Sequence, residues 1–182
     1  PAHRFPAFVE DAAKAIAWVH DHAGEYGGDP GKLFLSGHSA GAHIAMLATL
    51  DRQWLGREGK DTAIIKGMIG LAGPYDFLPF TTDAARDALG KWPRDIGTQP
   101  ITYARGDAAP LLLLTGDADT TVKPRNSQRL DSAVRGAGGY SLLREYPGVN
   151  HEGIIMAVAG PFRGKAPVVD DIAAFIRAKS RD

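Results

Sequence analysis

Gly37, His38, Ser39, Ala40 and Gly41 form a G-x-S-x-G string between an apolar segment that predicts a strand and an amphipathic segment that predicts a helix. At such a junction the string is typical of a sharp turn that strains the serine backbone, with both glycines leaving room for neighbouring chain. The serine hydroxyl then stands at the helix N-terminus. There the N–H of Ala40 and the helix dipole can face a developing oxyanion. The spacing predicts a nucleophile, Ser39, with Ala40 as oxyanion donor and Gly37 and Gly41 shaping the elbow.

A serine nucleophile needs a base, usually histidine, and the histidine needs a carboxylate to orient it. Asp117 and Asp119 follow one predicted strand downstream of Ser39, and His151 follows the next. Because the carboxyl ends of parallel strands meet at one edge of a sheet, we expect these side chains to approach the serine. The spacing predicts His151 as the base and leaves both aspartates open as the acid.

The chain has six histidines, so other candidates for the base must be weighed. The remaining five are His3, His20, His22, His38 and His43. The first three precede the serine and lie on or near the first predicted helix. We expect His38 to pack beneath the serine, and His43, one turn into the following helix, to have a structural role.

Apolar periodicity predicts alternating helices and strands. The predicted helices cover residues 8–22, 40–51, 124–134 and 168–179, and the predicted strands cover 32–36, 64–71, 109–115 and 140–146. This alternation is typical of a mostly parallel sheet with helices on both faces, and we expect one α/β domain over 1–182. Residues 75–109 lack clear periodicity and predict a short cap-like excursion. Its candidate pocket walls are Tyr75, Phe77, Phe80 and Trp92.

The composition argues against nucleic-acid binding, a metal or cofactor site and a membrane span. Lys plus Arg and Asp plus Glu are both 21, so no net charge favours nucleic acid. The chain has no cysteine, zincin-type histidine pair or calcium-loop motif, and we expect no metal or cofactor. Its apolar runs are too short to predict a membrane span. The absence of cysteine favours a cytoplasmic location, but the chain begins with Pro1, so the localisation stays open.

The chain resembles the C-terminal part of an α/β-hydrolase serine esterase, similar to the carboxylesterases grouped with hormone-sensitive lipase and with aryl formamidases. The resemblance rests on segments 6–11, 26–30 and 37–41, on Gly116-x-x-Asp119-x-x-Val122, and on His151. In that family the acid lies three residues after the loop glycine, which selects Asp119 over Asp117. The resemblance implies a Ser39–His151–Asp119 catalytic triad that cleaves small carboxylic esters through an acyl-enzyme, without a cofactor.

The resemblance also implies a missing part. The family's second oxyanion donor comes from an upstream His-Gly-Gly loop, and this chain contains no His-Gly-Gly. We therefore expect the N-terminal strands to be missing and the strand before Ser39 to form an exposed edge. Three explanations would account for this: the chain is part of a longer polypeptide, a homo-oligomer or second chain covers that edge, or the chain is a truncated relative.

The sequence leaves two alternatives to an esterase open. One is an amide hydrolase, such as an aryl formamidase or peptidase, and the other is a noncatalytic binding module.

Overall fold

The computed structural model describes residues 3–181, so Pro1, Ala2 and Asp182 of the predicted domain lie outside the described residues. Strands and helices alternate along the described chain. The strands are β1 Leu33–His38, β2 Ile65–Leu71, β3 Leu111–Gly116 and β4 Ser141–Tyr146. The helices are α1 Ala7–His22, α2 Ala40–Leu50, α3 Arg52–Arg57, α4 Asp83–Leu89, α5 Arg125–Gly136, α6 His151–Met156 and α7 Val168–Lys179.

The four strands form one parallel sheet in the order β1-β2-β3-β4. Three backbone hydrogen bonds extend the ladder past the carboxyl ends of the strands. They run from Ser39 N–H to the Leu71 carbonyl at 2.9 Å, from Ala72 N–H to Leu114 at 2.8 Å, and from Asp117 N–H to Tyr146 at 3.2 Å. Each segment that leaves the sheet is therefore tied to the end of the neighbouring strand, which aligns these segments along one edge.

Helices cover both faces of the sheet, as the alternation predicts. On one face, Leu112 and Leu114 of β3 pack with side chains of α6 and α7. On the other face, Leu111 and Leu113 pack with side chains of α2 and α5. Because β3 is buried along its whole length, its sequence is a continuous apolar run instead of an alternating one. Helices α1, α3 and α4 form a further apolar cluster with residues of α2.

Strand β1 lies at the edge of the described sheet, where β2 is its neighbour. Beside it runs a groove of about 420 Å³ whose lining includes Ile16 of α1, Leu35 of β1 and Ile44 of α2. Val19 of α1, which also lines this groove, is 41% exposed. The edge expected from the sequence is thus present in the described chain. Its cover by a homo-oligomer or second chain stays a prediction.

The segment predicted as a cap-like excursion, 75–109, contains α4 and two short 3₁₀ helices, Asp95–Thr98 and Pro100–Tyr103. It is joined to the N-terminal part of the chain through a hydrogen bond from Phe5 N–H to the Ala88 carbonyl at 2.9 Å. Its role as a cap stays a prediction. Across residues 3–181, every helix is too short or too polar to cross a membrane.

Candidate active site

The turn between β1 and α2 consists of a single residue, Ser39, with φ 53° and ψ −121°. This left-handed conformation is costly for a residue with a side chain, and it reverses the chain abruptly enough to present the hydroxyl at the sheet edge. Gly37 makes the close approach of strand and helix possible. A Cβ at Gly37 would lie 2.5 Å from the carbonyl carbon of Gly41 and 2.6 Å from the backbone nitrogen of Ala42. A Cβ at Gly41, by contrast, would meet no atom within 4 Å.

His151 is positioned by the loop between β4 and α6, of which it is the first helical residue. Asn150 caps this helix by accepting a hydrogen bond from Gly153 N–H at 2.8 Å. The loop also approaches the end of β3 closely. Ala118 N–H donates to the Val149 carbonyl at 3.2 Å. A Cβ at Gly116 would lie 2.0 Å from that carbonyl oxygen, so glycine is required there.

These elements bring Ser39, His151 and Asp119 into one hydrogen-bonded chain. The Ser39 Oγ lies 2.9 Å from His151 Nε2. His151 Nδ1 lies 2.7 Å from Asp119 Oδ2. With Nδ1–H donating to the carboxylate, Nε2 is the ring nitrogen that can accept the serine proton. The arrangement can therefore deprotonate Ser39 during nucleophilic attack.

Backbone hydrogen bonds also fix the Asp119 carboxylate. Its second oxygen, Oδ1, accepts hydrogen bonds from the N–H groups of Thr121 at 2.9 Å and Val122 at 2.8 Å. The residue is 3% exposed. Asp117 points elsewhere, since its Oδ1 accepts a hydrogen bond from Gly148 N–H at 2.7 Å. Of the two aspartates left open by the spacing, Asp119 is therefore the one bonded to the imidazole.

Two further histidines lie near the serine. His38 donates from Nε2–H to the backbone carbonyl of His151 at 3.0 Å, a contact that the sequence did not predict. His43 is buried and donates from Nε2–H to the Thr98 carbonyl at 2.7 Å. Burial lowers the pKa of His43 to about 4, so its imidazole is neutral at physiological pH.

Beside the serine turn lies an apolar cavity of about 430 Å³. Its wall combines α2, α4 and the chain near Phe77, and it includes Ala40, His43, Ile44, Ala84, Ala85, Ala88 and Leu89. Because Ala40 lines the cavity and directly follows Ser39 in the chain, a group bound here would lie next to Ser39. Among the aromatic walls expected from sequence, Phe77 lines this cavity. Tyr75 is instead fully buried in the core.

The N-terminus of α2 lacks a side-chain cap among the described residues. Its first backbone N–H groups, beginning with Ala40, are thus not capped by a side chain and can serve an anionic group at the serine. The described chain holds no cluster of three or more His, Asp or Glu side chains suited to a metal ion.

A sequence model of the BD-FAE family matches residues 1–134. The chain belongs to the BD-FAE family. The match covers most of the chain. It includes the Ser39 turn and ends before His151.

Relatives of this BD-FAE chain carry the names of esterases. Esterase LipQ of Mycobacterium tuberculosis is 31% identical over 171 residues, which cover 83% of this chain and 40% of LipQ. The probable carboxylic ester hydrolase LipM of the same organism is 32% identical over 152 residues, which cover 74% of this chain and 35% of LipM. The BD-FAE chain thus spans less than half the length of either relative.

The fold is also that of solved esterases. A structure of Thermogutta terrifontis esterase 2 phosphonylated by sarin aligns with a TM-score of 0.71 at 26% identity, over 83% of this chain and 58% of that chain. The parallel sheet with helices on both faces is therefore an α/β-hydrolase fold, as the sequence predicted.

The two elbow glycines should respond differently to alanine. In Gly37→Ala the new Cβ meets backbone atoms that cannot rotate away, and we expect the free energy of unfolding to fall by about 1–3 kcal/mol. Gly41→Ala adds a methyl group in open space on a helix, and we expect a gain of up to about 1 kcal/mol. Urea denaturation followed by circular dichroism measures both values. Equal effects of the two variants would contradict the close approach at Gly37.

His43 should make stability depend on pH. Burial lowers its pKa to about 4 in the folded protein, below the ordinary histidine value of 6.5 that applies in the unfolded chain. The unfolded chain therefore binds the proton first as pH falls. Above pH 6.5 His43 is mostly neutral in both states and the free energy of unfolding changes little with its titration. Between pH 6.5 and pH 4 its titration lowers the free energy of unfolding by about 3 kcal/mol. The variant His43→Gln keeps a donor for Thr98 but cannot titrate in this range. We expect the wild type to lose more unfolding free energy than this variant between pH 6.5 and 4, and parallel curves would refute the assignment.

Proposed function

We propose that this chain carries the catalytic centre of a serine hydrolase that cleaves carboxylic esters through an acyl-enzyme. The observation that supports it most strongly is the continuous hydrogen-bonded chain from Ser39 Oγ through His151 to Asp119. The names of LipQ and LipM favour an ester over an amide as substrate. A small-molecule ester with an apolar group that fits the cavity beside Ala40 is the proposed substrate.

In the proposed reaction, Ser39 Oγ attacks the ester carbonyl while His151 Nε2 accepts the hydroxyl proton. Asp119 keeps the proton on Nδ1 and stabilises the imidazolium that forms. The carbonyl oxygen gains the negative charge, and the Ala40 N–H at the start of α2 donates to it. Collapse of this intermediate expels the alcohol, which takes the proton from His151. A water molecule then repeats the sequence on the acyl-enzyme and releases the acid and the free serine.

The oxyanion hole limits the turnover expected of these 182 residues. Ala40 supplies one donor, and the His-Gly-Gly loop expected from the resemblance does not occur in this sequence. Loss of one donor costs about 2.7–4 kcal/mol of transition-state stabilisation. We propose that acylation is slow for this reason, and tests should therefore follow a single turnover instead of steady-state rates.

A fluorophosphonate probe tests the nucleophile. Because phosphonylation needs an activated serine, we expect the wild-type chain to be labelled at Ser39 and the Ser39→Ala variant to remain unlabelled. The phosphonylated structure of Thermogutta terrifontis esterase 2 supports the choice of probe. Peptide mass spectrometry locates the label. A wild-type chain that is folded by circular dichroism but unlabelled would indicate a noncatalytic binding module instead.

The same assay distinguishes the two aspartates. In Asp119→Asn the imidazole loses its anionic partner and its enforced tautomer, and we expect the labelling rate to fall by up to about 10⁴-fold. Asp117→Asn is the matched control, since its carboxylate bonds to the Gly148 backbone. A larger loss in Asp117→Asn would show that Asp119 is not the acid.

The apolar cavity should set the length of the acyl group. Ala84 of α4 lines the cavity, so Ala84→Leu adds three carbons where longer chains would lie. We expect the acylation rate with nitrophenyl hexanoate, relative to nitrophenyl acetate, to fall at least roughly tenfold. The control is Ala174→Leu, an exposed position on α7, which packs on the other face of the sheet. An unchanged ratio in Ala84→Leu would place the acyl group outside this cavity.

A further inference from the structure

We propose that His38 is a positioning residue, which holds the base His151 at the nucleophile through the hydrogen bond from its Nε2–H to the His151 backbone carbonyl. This inference rests on the proposed function. The hydrogen bond is a direct tether between the strand that precedes Ser39 and the helix that begins with His151. His38 directly precedes Ser39 in the chain, and its acceptor belongs to His151 itself.

The topology shows why such a tether matters. Ser39 follows β1 and His151 follows β4, and two strands, β2 and β3, lie between them in the sheet. Small changes in twist at each strand pair would therefore add up in the distance between Ser39 Oγ and His151 Nε2. The bond from His38 Nε2 to the His151 oxygen, 3.0 Å long, bypasses these strand pairs. The two imidazole rings also lie in contact, with centroids 4.7 Å apart and planes inclined by 41°.

The hydrogen bond also defines the tautomer of the neutral His38 ring. A carbonyl oxygen can only accept, so Nε2 must carry a hydrogen, and in the neutral ring Nδ1 then carries none. Burial lowers the pKa of His38, and the neighbouring His151 lowers it further. The carbonyl hydrogen bond and the carboxylates of Asp119 and Glu152 oppose these effects. The net direction is downward, so His38 adds no second positive charge beside His151 when the imidazolium forms during the reaction.

A residue that merely packs beneath the serine would not use Nε2–H, and variants can separate the two roles. His38→Phe keeps an aromatic ring but removes the donor. His38→Gln removes the ring but places an amide N–H near the position of Nε2. The matched control is His22→Phe on α1, because His22 also donates a hydrogen bond to a backbone carbonyl, that of Trp18, at 2.8 Å.

Single-turnover acylation by nitrophenyl acetate measures the effect on the reaction. Since misplacement of a catalytic group by about 1 Å can cost on the order of 10²-fold, we expect His38→Phe to lower the maximal rate by roughly 10- to 100-fold. The substrate concentration at half-maximal rate should change little, because His38 does not line the cavity beside Ala40. His38→Gln should recover most of the rate, and His22→Phe should match the wild type.

Proton NMR of the same proteins reports the geometry without requiring turnover. The hydrogen between His151 Nδ1 and Asp119 should give a low-field resonance in the wild type, in His38→Gln and in His22→Phe. In His38→Phe we expect this resonance to be broadened or lost, because the imidazole is no longer held. Thermal unfolding of each variant shows whether a change in rate or resonance reflects loss of the fold. We expect His38→Gln to retain the fold.

The outcomes distinguish this inference from the proposed function. Wild-type rate and resonance in His38→Phe would overturn the inference while leaving the esterase intact. Equal impairment of His38→Phe and His38→Gln would assign His38 to packing and would also overturn it. If the wild-type chain neither labels nor acylates, the proposed function fails. The resonance pattern then still decides whether His38 positions His151.

Discussion

The candidate site depends on the hydrogen-bonded register of the four parallel strands. Backbone bonds from Ser39 to Leu71 and from Asp117 to Tyr146 continue this register past the strand ends. Side chains that are far apart in sequence therefore emerge along one edge, within hydrogen-bonding distance of each other. The apolar clusters on both faces hold the sheet rigid, and this rigidity lets a few loop residues keep hydrogen-bond distances of 2.7–2.9 Å.

The strained backbone of Ser39 is a local cost that the surrounding packing offsets. A positive φ at a non-glycine residue persists only where neighbouring structure leaves no alternative. Here β1 and the buried helix α2 approach so closely at Gly37 that one residue must make the whole turn. The same close approach aims the N-terminus of α2 at the space beside the hydroxyl. The strain at Ser39 and the direction of the α2 N-terminus thus have a common origin in how this strand and helix pack.

Much of this arrangement was predictable because its signals are local. The glycine spacing predicted the turn at Ser39, and β3 and α7 stood out by apolar runs and periodicity. Helix α6 was missed because six residues are too few to show a period, although the capping residue Asn150 could have indicated it. The choice of Asp119 over Asp117 came from the family resemblance. Tyr75 was one of four candidate pocket walls, and tertiary packing places it in the core, a distinction that the sequence cannot reveal.

The histidines show why a site must be understood through its whole environment. Three imidazoles, those of His38, His43 and His151, surround the serine turn, and any of them could bind a proton. Burial lowers the pKa of His38 and of His43. The Nε2–H of each ring donates a hydrogen bond to a backbone carbonyl. Only His151, among these three, has a carboxylate on one ring nitrogen and the serine on the other. The neighbouring imidazoles therefore leave a single one in a position to exchange a proton with Ser39, and among these three that imidazole alone is hydrogen-bonded to Asp119.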